Sequence, residues 1–352
     1  MKRLAFFSFV VALFMAASCQ NSGDKNTVAD FSEPELLTLS DSIAIDEILS
    51  PNGWQITDDK VVILSPKTED QFFVYRLPGF EYLYSFGPKG EGPDDFNMPW
   101  IDSYDIRTAP LSIRDKRFRK AYLYDIGETQ AKKISTREDP DDAPLRIHDS
   151  LFFKIKTQRR TQPDDPYIEH LVTIDGNSQT IDSVQALTYT CQAPVTLPDG
   201  RTLSLNMIYN HPLITYRDGR LFVRHTDMSL TDLYDITPDG KLHFVRSVGD
   251  PKVYEQIQGQ DLEKLTERET VSFLQGSEKY VYVVMYTVKK QDNKRILSTP
   301  RIEVYDWEGT PVKAFAIDRD FSRILVDEAH GKIFCFDSSL DFEQVFVYDY
   351  SL

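Results

Sequence analysis

The sequence predicts an all-β protein, a six-bladed β-propeller whose blades are four-stranded antiparallel sheets. Two observations carry this prediction. From Glu35 to Leu352 the chain is a series of short runs rich in Val, Ile, Tyr and Phe, separated by turns of Gly, Pro, Asp and Asn, which is the pattern of successive β-strands. A hairpin-like segment with an aromatic–Asp pair also recurs along the chain, and such a repeat is typical of propeller blades.

The first 19 residues have the features of an export signal. Lys2 and Arg3 precede an unbroken apolar run, Leu4–Met15, and small residues then lead to Cys19. This arrangement resembles a bacterial lipoprotein signal, in which the cysteine after the cleavage site is acylated. An uncleaved anchoring helix is the alternative, but twelve apolar residues span only about 18 Å of a hydrocarbon core about 30 Å thick.

We therefore predict a signal peptide at residues 1–18, a flexible tether at 19–33 and one propeller domain at 34–352. The tether is polar and shows no periodicity, as expected of a flexible linker. The predicted location is the Gram-negative envelope, at the periplasmic face or the cell surface, with the lipid on Cys19 as the membrane anchor.

Six hairpin units are expected to supply the outer strands of the six blades. In the first five, alternating apolar residues lead into a turn and a second alternating strand follows. The units begin roughly 45 to 70 residues apart, which leaves room for further strands before each hairpin. They are Phe73–Phe86, Tyr122–Ile134, His170–Val184, Asp232–Val245, Glu303–Ile317 and Phe346–Leu352.

The last blade lacks one strand, and the N-terminus is expected to supply it. Only three β-type runs follow Phe321, and the run Glu35–Ser40 has no hairpin partner near it. We therefore predict that Glu35–Ser40 pairs with the strand that contains Phe346–Tyr350. This pairing closes the ring and removes two exposed sheet edges.

The strongest local motif is the glycine- and proline-rich segment that follows the first hairpin. It resembles the link between blades in TolB-like and NHL-type six-bladed propellers, and the resemblance implies that it carries the chain from the rim of one blade to the innermost strand of the next. The glycines are expected to allow positive φ and Phe96 to plug the gap between blades. The matching positions are Phe86, Gly87, Gly90, Gly92, Pro93, Phe96 and Pro99.

Composition and motifs argue against several functions. A net charge of −15 at pH 7 disfavours nucleic acid binding, because phosphates would be repelled. The histidines stand singly and no nucleophile motif is present, so we predict no catalytic residue, metal or cofactor. A metal in the central channel is the alternative, with His225 as its best-placed ligand. Cys191 and Cys335 are expected to be buried thiols, a disulfide between them being the alternative.

Two groups of residues are candidates for binding. Trp100, Asp102 and Tyr104 follow the link, where the family layout places the chain at the mouth of the channel, and aromatic and carboxylate side chains suit a sugar or a peptide. The second group is the dense basic run at 114–120, with Arg114, Arg117 and Arg119, which suits an anionic partner. Core packing of Trp100 and an exposed charged loop are the respective structural alternatives.

Two functions are compatible with these patterns. The first is a lipid-anchored, non-catalytic propeller that binds a protein or glycan partner at the envelope. The second is a propeller hydrolase or lyase with a metal or carboxylate site in the central channel. The propeller fold hosts both kinds of protein, so the choice depends on the site.

Overall fold

The computed structural model describes residues 26–27, 31–92, 94–101, 110–138, 145–148, 150–158, 168–186, 190–196, 202–208, 212–227, 229–249, 267–291, 294–321, 323–337 and 343–352. All regular structure in these residues is β-strand. Within the same ranges, no helix has the length and hydropathy needed to cross a membrane. The all-β prediction is confirmed, since six four-stranded antiparallel blades form a propeller.

The strands follow one another blade by blade. Three short strands come first, namely β1 (Asn26–Thr27), β2 (Glu35–Leu37) and β3 (Leu39–Ala44). Blade 1 contains β4 (Gly53–Thr57), β5 (Lys60–Leu64), β6 (Asp70–Arg76) and β7 (Glu81–Pro88). Blade 2 contains β8 (Pro99–Ile101), β9 (Leu111–Asp115), β10 (Lys120–Ile126) and β11 (Ala131–Glu138). Blade 3 contains β12 (Leu145–His148), β13 (Leu151–Thr157), β14 (Glu169–Asp175) and β15 (Thr180–Gln185).

A separate hairpin, β16 (Thr190–Thr196) with β17 (Thr202–Ile208), lies between blades 3 and 4 in the chain. Blade 4 contains β18 (Leu213–Arg217), β19 (Arg220–Arg224), β20 (Leu230–Ile236) and β21 (Leu242–Gly249). Blade 5 contains β22 (Glu267–Gly276), β23 (Tyr280–Gln291), β25 (Arg301–Asp306) and β26 (Pro311–Ile317), while β24 (Lys294–Leu297) pairs with the end of β23. Blade 6 contains β27 (Arg323–Asp327), β28 (Lys332–Phe336), β29 (Gln344–Asp349) and β3.

The hydrophobic core is divided into layers between neighbouring blades. Successive side chains of a strand point to opposite faces of its sheet. Val61 and Ile63 accordingly pack toward blade 6, whereas Val62 and Leu64 pack toward blade 2. Both faces of a blade are covered in this way, and the middle strands are therefore continuous apolar runs rather than alternating ones.

The order of strands within each blade places the first strand near the ring axis. The first strands of neighbouring blades lie side by side, as β4 does with β8 and β22 with β27. The fourth strand is at the opposite edge of the sheet, on the rim of the ring. The six predicted hairpin units coincide with the third and fourth strands of the blades, except that β29 pairs with the N-terminal β3.

The N-terminus closes the ring, but its pairing is displaced along the chain from the predicted one. β3 pairs antiparallel with β29, with Leu39 opposite Tyr348, and completes blade 6. The run Glu35–Ser40 is divided, because Glu35–Leu37 forms β2 and runs parallel to β26 of blade 5. Leu37 is 4% exposed and packs in the core between blades 5 and 6. The chain therefore crosses from blade 5 to blade 6 at Leu37, and the strand that closes the ring begins after that residue.

Part of the segment predicted as a tether also contacts the domain. β1 runs parallel to β21 on the rim of blade 4. Phe31 is half-buried, and its ring meets Tyr305 of blade 5 edge-on at 5.0 Å between centroids. The described residues from Asn26 to Ala44 thus contact blades 4, 5 and 6 in turn.

The link Phe86–Pro99 takes the predicted path, from β7 on the rim of blade 1 to β8 at the axis of blade 2. Phe96 is 1% exposed. Its ring meets Phe72 of blade 1 at 5.0 Å and Tyr122 of blade 2 at 5.3 Å between centroids. The Phe96 ring therefore fills the space between blades 1 and 2. Pro93 lies outside the described residues.

The glycines of the link serve two different purposes. Gly87 has φ of 76°, a left-handed conformation that favours glycine. The sequence predicted a positive φ for all three glycines of the link. The positive-φ prediction is wrong for Gly90 and Gly92, which are absent from the left-handed region. A Cβ atom at either position would instead collide with the carboxylate of Asp95, whose oxygen accepts the backbone N–H of Gly92 at 2.7 Å.

Cys335 and Cys191 lie on strands of different sheets. Cys335 is a free thiol on β28, fully buried between blades 5 and 6, and burial raises its pKa. Cys191 belongs to the hairpin strand β16. The prediction of a buried thiol is therefore confirmed for Cys335.

Candidate functional site

The blade-to-blade connections and the turns between second and third strands meet at one face of the ring, because neighbouring strands in a blade are antiparallel. We call this the link face, and it includes the link Phe86–Pro99 and the β9–β10 turn at residues 116–119. The β16–β17 hairpin lies in the connection between blades 3 and 4, and β24 prolongs blade 5 beside the end of β23.

Trp100 lies on the link-face part of β8, directly opposite Arg114 of β9. Its side chain is half-buried. The ammonium nitrogen of Lys116 is 5.0 Å from the centroid of the Trp100 ring, within the range of a cation–π interaction. The backbone N–H of Lys116 donates to the carbonyl of Met98 at 3.1 Å. The link and the β9–β10 turn therefore place an aromatic ring, Trp100, beside a cation, Lys116.

Asp115 holds this arrangement in place. It is 1% exposed at the end of β9. One carboxylate oxygen accepts the backbone N–H of Asn97 in the link at 2.7 Å, and the other accepts those of Arg117 at 2.9 Å and Phe118 at 3.3 Å in the turn. We did not predict this role from the sequence, although an Asp that opens a polar turn is a known signal for such bonds.

The structure separates the predicted basic run into buried and exposed residues. Arg114 is 2% exposed within β9, because its position in the strand points it into the sheet packing. It is therefore not part of an exposed basic surface. Lys116, Arg117 and Arg119 are exposed in the β9–β10 turn, and Arg119 has φ of 55°.

Three other predicted site residues fall outside the described part of the chain, namely Cys19, Asp102 and Tyr104. His225 is described, and it is fully buried just after β19. Its Nε2 is 2.9 Å from a carboxylate oxygen of Asp232, and the hydroxyl of Ser247 donates to the other oxygen. Because β19 is a second strand and the imidazole is enclosed, His225 supports the β19–β20 turn rather than facing the channel.

A buried ionic network lies at the link-face end of the seam between blades 4 and 5. Glu303 is 3% exposed. Its carboxylate accepts the hydroxyl of Tyr305 at 2.7 Å and two guanidinium nitrogens of Arg301 at 2.9 and 2.6 Å. Arg224, fully buried, has Nη2 3.4 Å from the same carboxylate and donates through Nη1 to Thr231 at 3.0 Å.

Arg301 connects this network to the surface. Its side chain is 36% exposed and also pairs with Glu269 at 2.8 Å, while Glu269 accepts the hydroxyl of Ser229. Burial would lower the pKa of Arg301, but the carboxylates of Glu303 and Glu269 raise it overall. Two guanidinium groups are thus balanced by two carboxylates, an arrangement that joins two blades. Charged residues inside apolar strands, as in RLFVR and RIEVYD, were the sequence signal that we missed.

The described residues contain no group of three or more His, Cys, Asp or Glu side chains arranged to hold a metal ion. The described part of the link face combines one aromatic side chain with several cations. It presents a half-buried indole with exposed cations, fixed by a buried carboxylate.

Comparisons with known proteins agree with this architecture. The sequence profile of the TolB-like 6-blade propeller-like family matches residues 38–329. No curated protein matches the sequence. A solved structure from Bacteroides vulgatus, a member of the DUF4221 family, superimposes with a TM-score of 0.50 at 9% identity, covering 90% of this chain and 97% of that one. An exported protein of Bacteroides fragilis, so described, gives 0.49 at 12% identity and covers 92% and 97%.

Proposed function

Because this chain belongs to the TolB-like six-bladed propeller family, whose fold alone does not determine an activity, we propose that it is a lipid-anchored, non-catalytic binding module of the cell envelope. It recognises a protein or glycan partner through the link face. The membrane contact is made through the lipid on Cys19, and nucleic acid is not a partner.

This proposal rests on one observation: the half-buried Trp100 lies beside a turn with three exposed cations, Lys116, Arg117 and Arg119. Loops on a rigid scaffold commonly carry binding residues. Here Asp115 bonds to both segments that bear these side chains, so less conformational entropy is lost when a partner binds. An indole with adjacent cations can stack on a sugar ring or pack against a peptide while it pairs with an anionic group.

The anchor is supported by the leader sequence, in which Lys2, Arg3, Leu4–Met15 and the small residues converge on Cys19. Replacing Cys19 with Ser is expected to abolish acylation and to leave the protein out of the membrane fraction. Mass spectrometry of the mature wild-type protein should find an acylated residue 19 at its N-terminus. An unmodified N-terminus at any other residue would contradict the anchor.

The binding surface is tested by affinity capture from detergent extracts of envelopes. Trp100→Ala and Arg117→Ala are each expected to lower the amount of partner recovered several-fold, because each removes a recognition group from the link face. Lys279→Ala is the matched control, since Lys279 is an exposed cation in the β22–β23 turn on the opposite face. Unchanged capture by both link-face variants would exclude this surface. A tightly bound metal with hydrolytic or lyase turnover would replace the binding module by the enzyme alternative.

A further inference from the structure

The chain that leads to Cys19 joins the domain at one place on the rim. β1 runs parallel to β21, with Asn26 opposite Ser247. Seven residue steps separate Cys19 from Asn26, and a fully extended chain spans at most about 3.6 Å per residue. A lipid on Cys19 is therefore held within about 25 Å of the rim of blade 4.

The register of β1 gives its position on this rim. β21 is a fourth strand and runs toward the link face. β1 is parallel to β21 and pairs with Ser247 and Val248, two of the last three residues of that strand, so it lies at the link-face end of the rim.

The rim of blades 4 and 5 has large apolar side chains that are exposed to solvent. They are Phe244 on β21 at 43%, Val312 on β26 at 40% and Leu36 on β2 at 65%. Two cations lie on the same rim strands: Arg246 on β21 donates to the backbone carbonyl of Glu308, and Lys313 on β26 pairs with Glu35 of β2 at 2.6 Å. Exposed apolar side chains enter the interface of a bilayer when a lipid chain attached nearby holds the protein against it.

We propose that the rim of blades 4 and 5, formed by β21, β26 and β2, lies against the membrane surface. This orientation rests on the proposed acylation of Cys19. A bilayer in contact with the rim lies roughly parallel to the ring axis. The link face is then roughly perpendicular to the membrane surface. Trp100 and the β9–β10 turn then remain in the aqueous phase, where a partner anchored in or near the same membrane can reach them.

Ile134 provides the matched control. It is an exposed apolar side chain, at 56%, on the fourth strand of blade 2, which is opposite blade 5 in a ring of six. The same kind of residue on the same kind of strand should therefore stay away from the bilayer.

The test uses the full-length acylated protein on vesicles of phosphatidylethanolamine and phosphatidylglycerol that contain a lipid-borne quencher. Phe244→Cys, Val312→Cys and Ile134→Cys are made separately in a Cys191→Ser background and labelled with an environment-sensitive dye. Cys335 is fully buried and stays unlabelled. Unchanged melting temperatures show that each labelled variant is folded.

Quenching is expected to be several-fold stronger at positions 244 and 312 than at position 134. Equal quenching at all three positions, or stronger quenching at 134, on protein shown to be acylated would overturn the orientation alone. If mass spectrometry shows no acyl chain on Cys19, the anchor in the proposed function fails, and the orientation fails with it.

Discussion

Loss of β2 and β3 is expected to unfold the whole propeller rather than to fray its end. A chain that begins at Ile45 leaves the edge of β29 unpaired and removes Leu37 and Leu39 from the core between blades 5 and 6. An open ring exposes sheet edges that pair with other molecules. We expect the melting temperature to fall by roughly 10 °C or more and aggregation to follow, as measured by calorimetry and light scattering.

The control for this truncation is a chain that begins at Pro34. It keeps β2 and β3 but lacks β1 and Phe31, whose described contacts are a short parallel pairing and one half-buried ring. We expect a much smaller decrease in its melting temperature. If the two truncated chains melt at the same temperature, closure by β3 does not stabilise the ring.

Glu303→Gln is expected to be the most destabilising single substitution in the seam between blades 4 and 5. The carboxylate of Glu303 balances the fully buried guanidinium of Arg224 and the partly buried one of Arg301. An uncompensated charge left in the core costs about 3–5 kcal/mol. Urea denaturation should show a loss of stability of this order, with the slope of the transition unchanged.

Two further variants separate charge balance from simple loss of contacts. Glu269→Gln removes a carboxylate of the same network that is 34% exposed. We expect this substitution to lower the free energy of unfolding by less than about 1 kcal/mol. Arg224→Met combined with Glu303→Gln should be more stable than Glu303→Gln alone, because the buried cation is then also absent. A double variant that is less stable than the single one would contradict this account of the seam.

The strands and their grouping into blades could be read from the sequence because the signals are local. Turns of Gly, Pro, Asp and Asn bound each run, and the repeated hairpins correspond to the third and fourth strands. The path of the link was predicted from its resemblance to the link of TolB-like and NHL-type propellers, which is recognisable because the motif is contiguous. The β16–β17 hairpin and β24 were not predicted, because they add strands that the repeat does not require.

The candidate site was predicted only in part. Trp100 and the exposed Arg117 and Arg119 lie where a partner can reach them, but Arg114 and His225 are buried. Exposure depends on which strand face and which neighbouring blade a side chain meets. Asp115 was missed because its bonds to the link and to the turn become visible only when the two segments are adjacent.

The sequence by itself determined the all-β class through local alternation, and the six blades through hairpin units that begin roughly 45 to 70 residues apart. It determined the blade-to-blade link through a contiguous motif that resembles the link of known propellers. Only the tertiary structure decided the register of ring closure, where Leu37 at one seam shifts the closing strand to Leu39–Ala44. It also decided which charges are buried as partners, such as Arg224 with Glu303. These features depend on contacts between residues far apart in the chain, and their energies come from burial and charge balance that no local pattern contains.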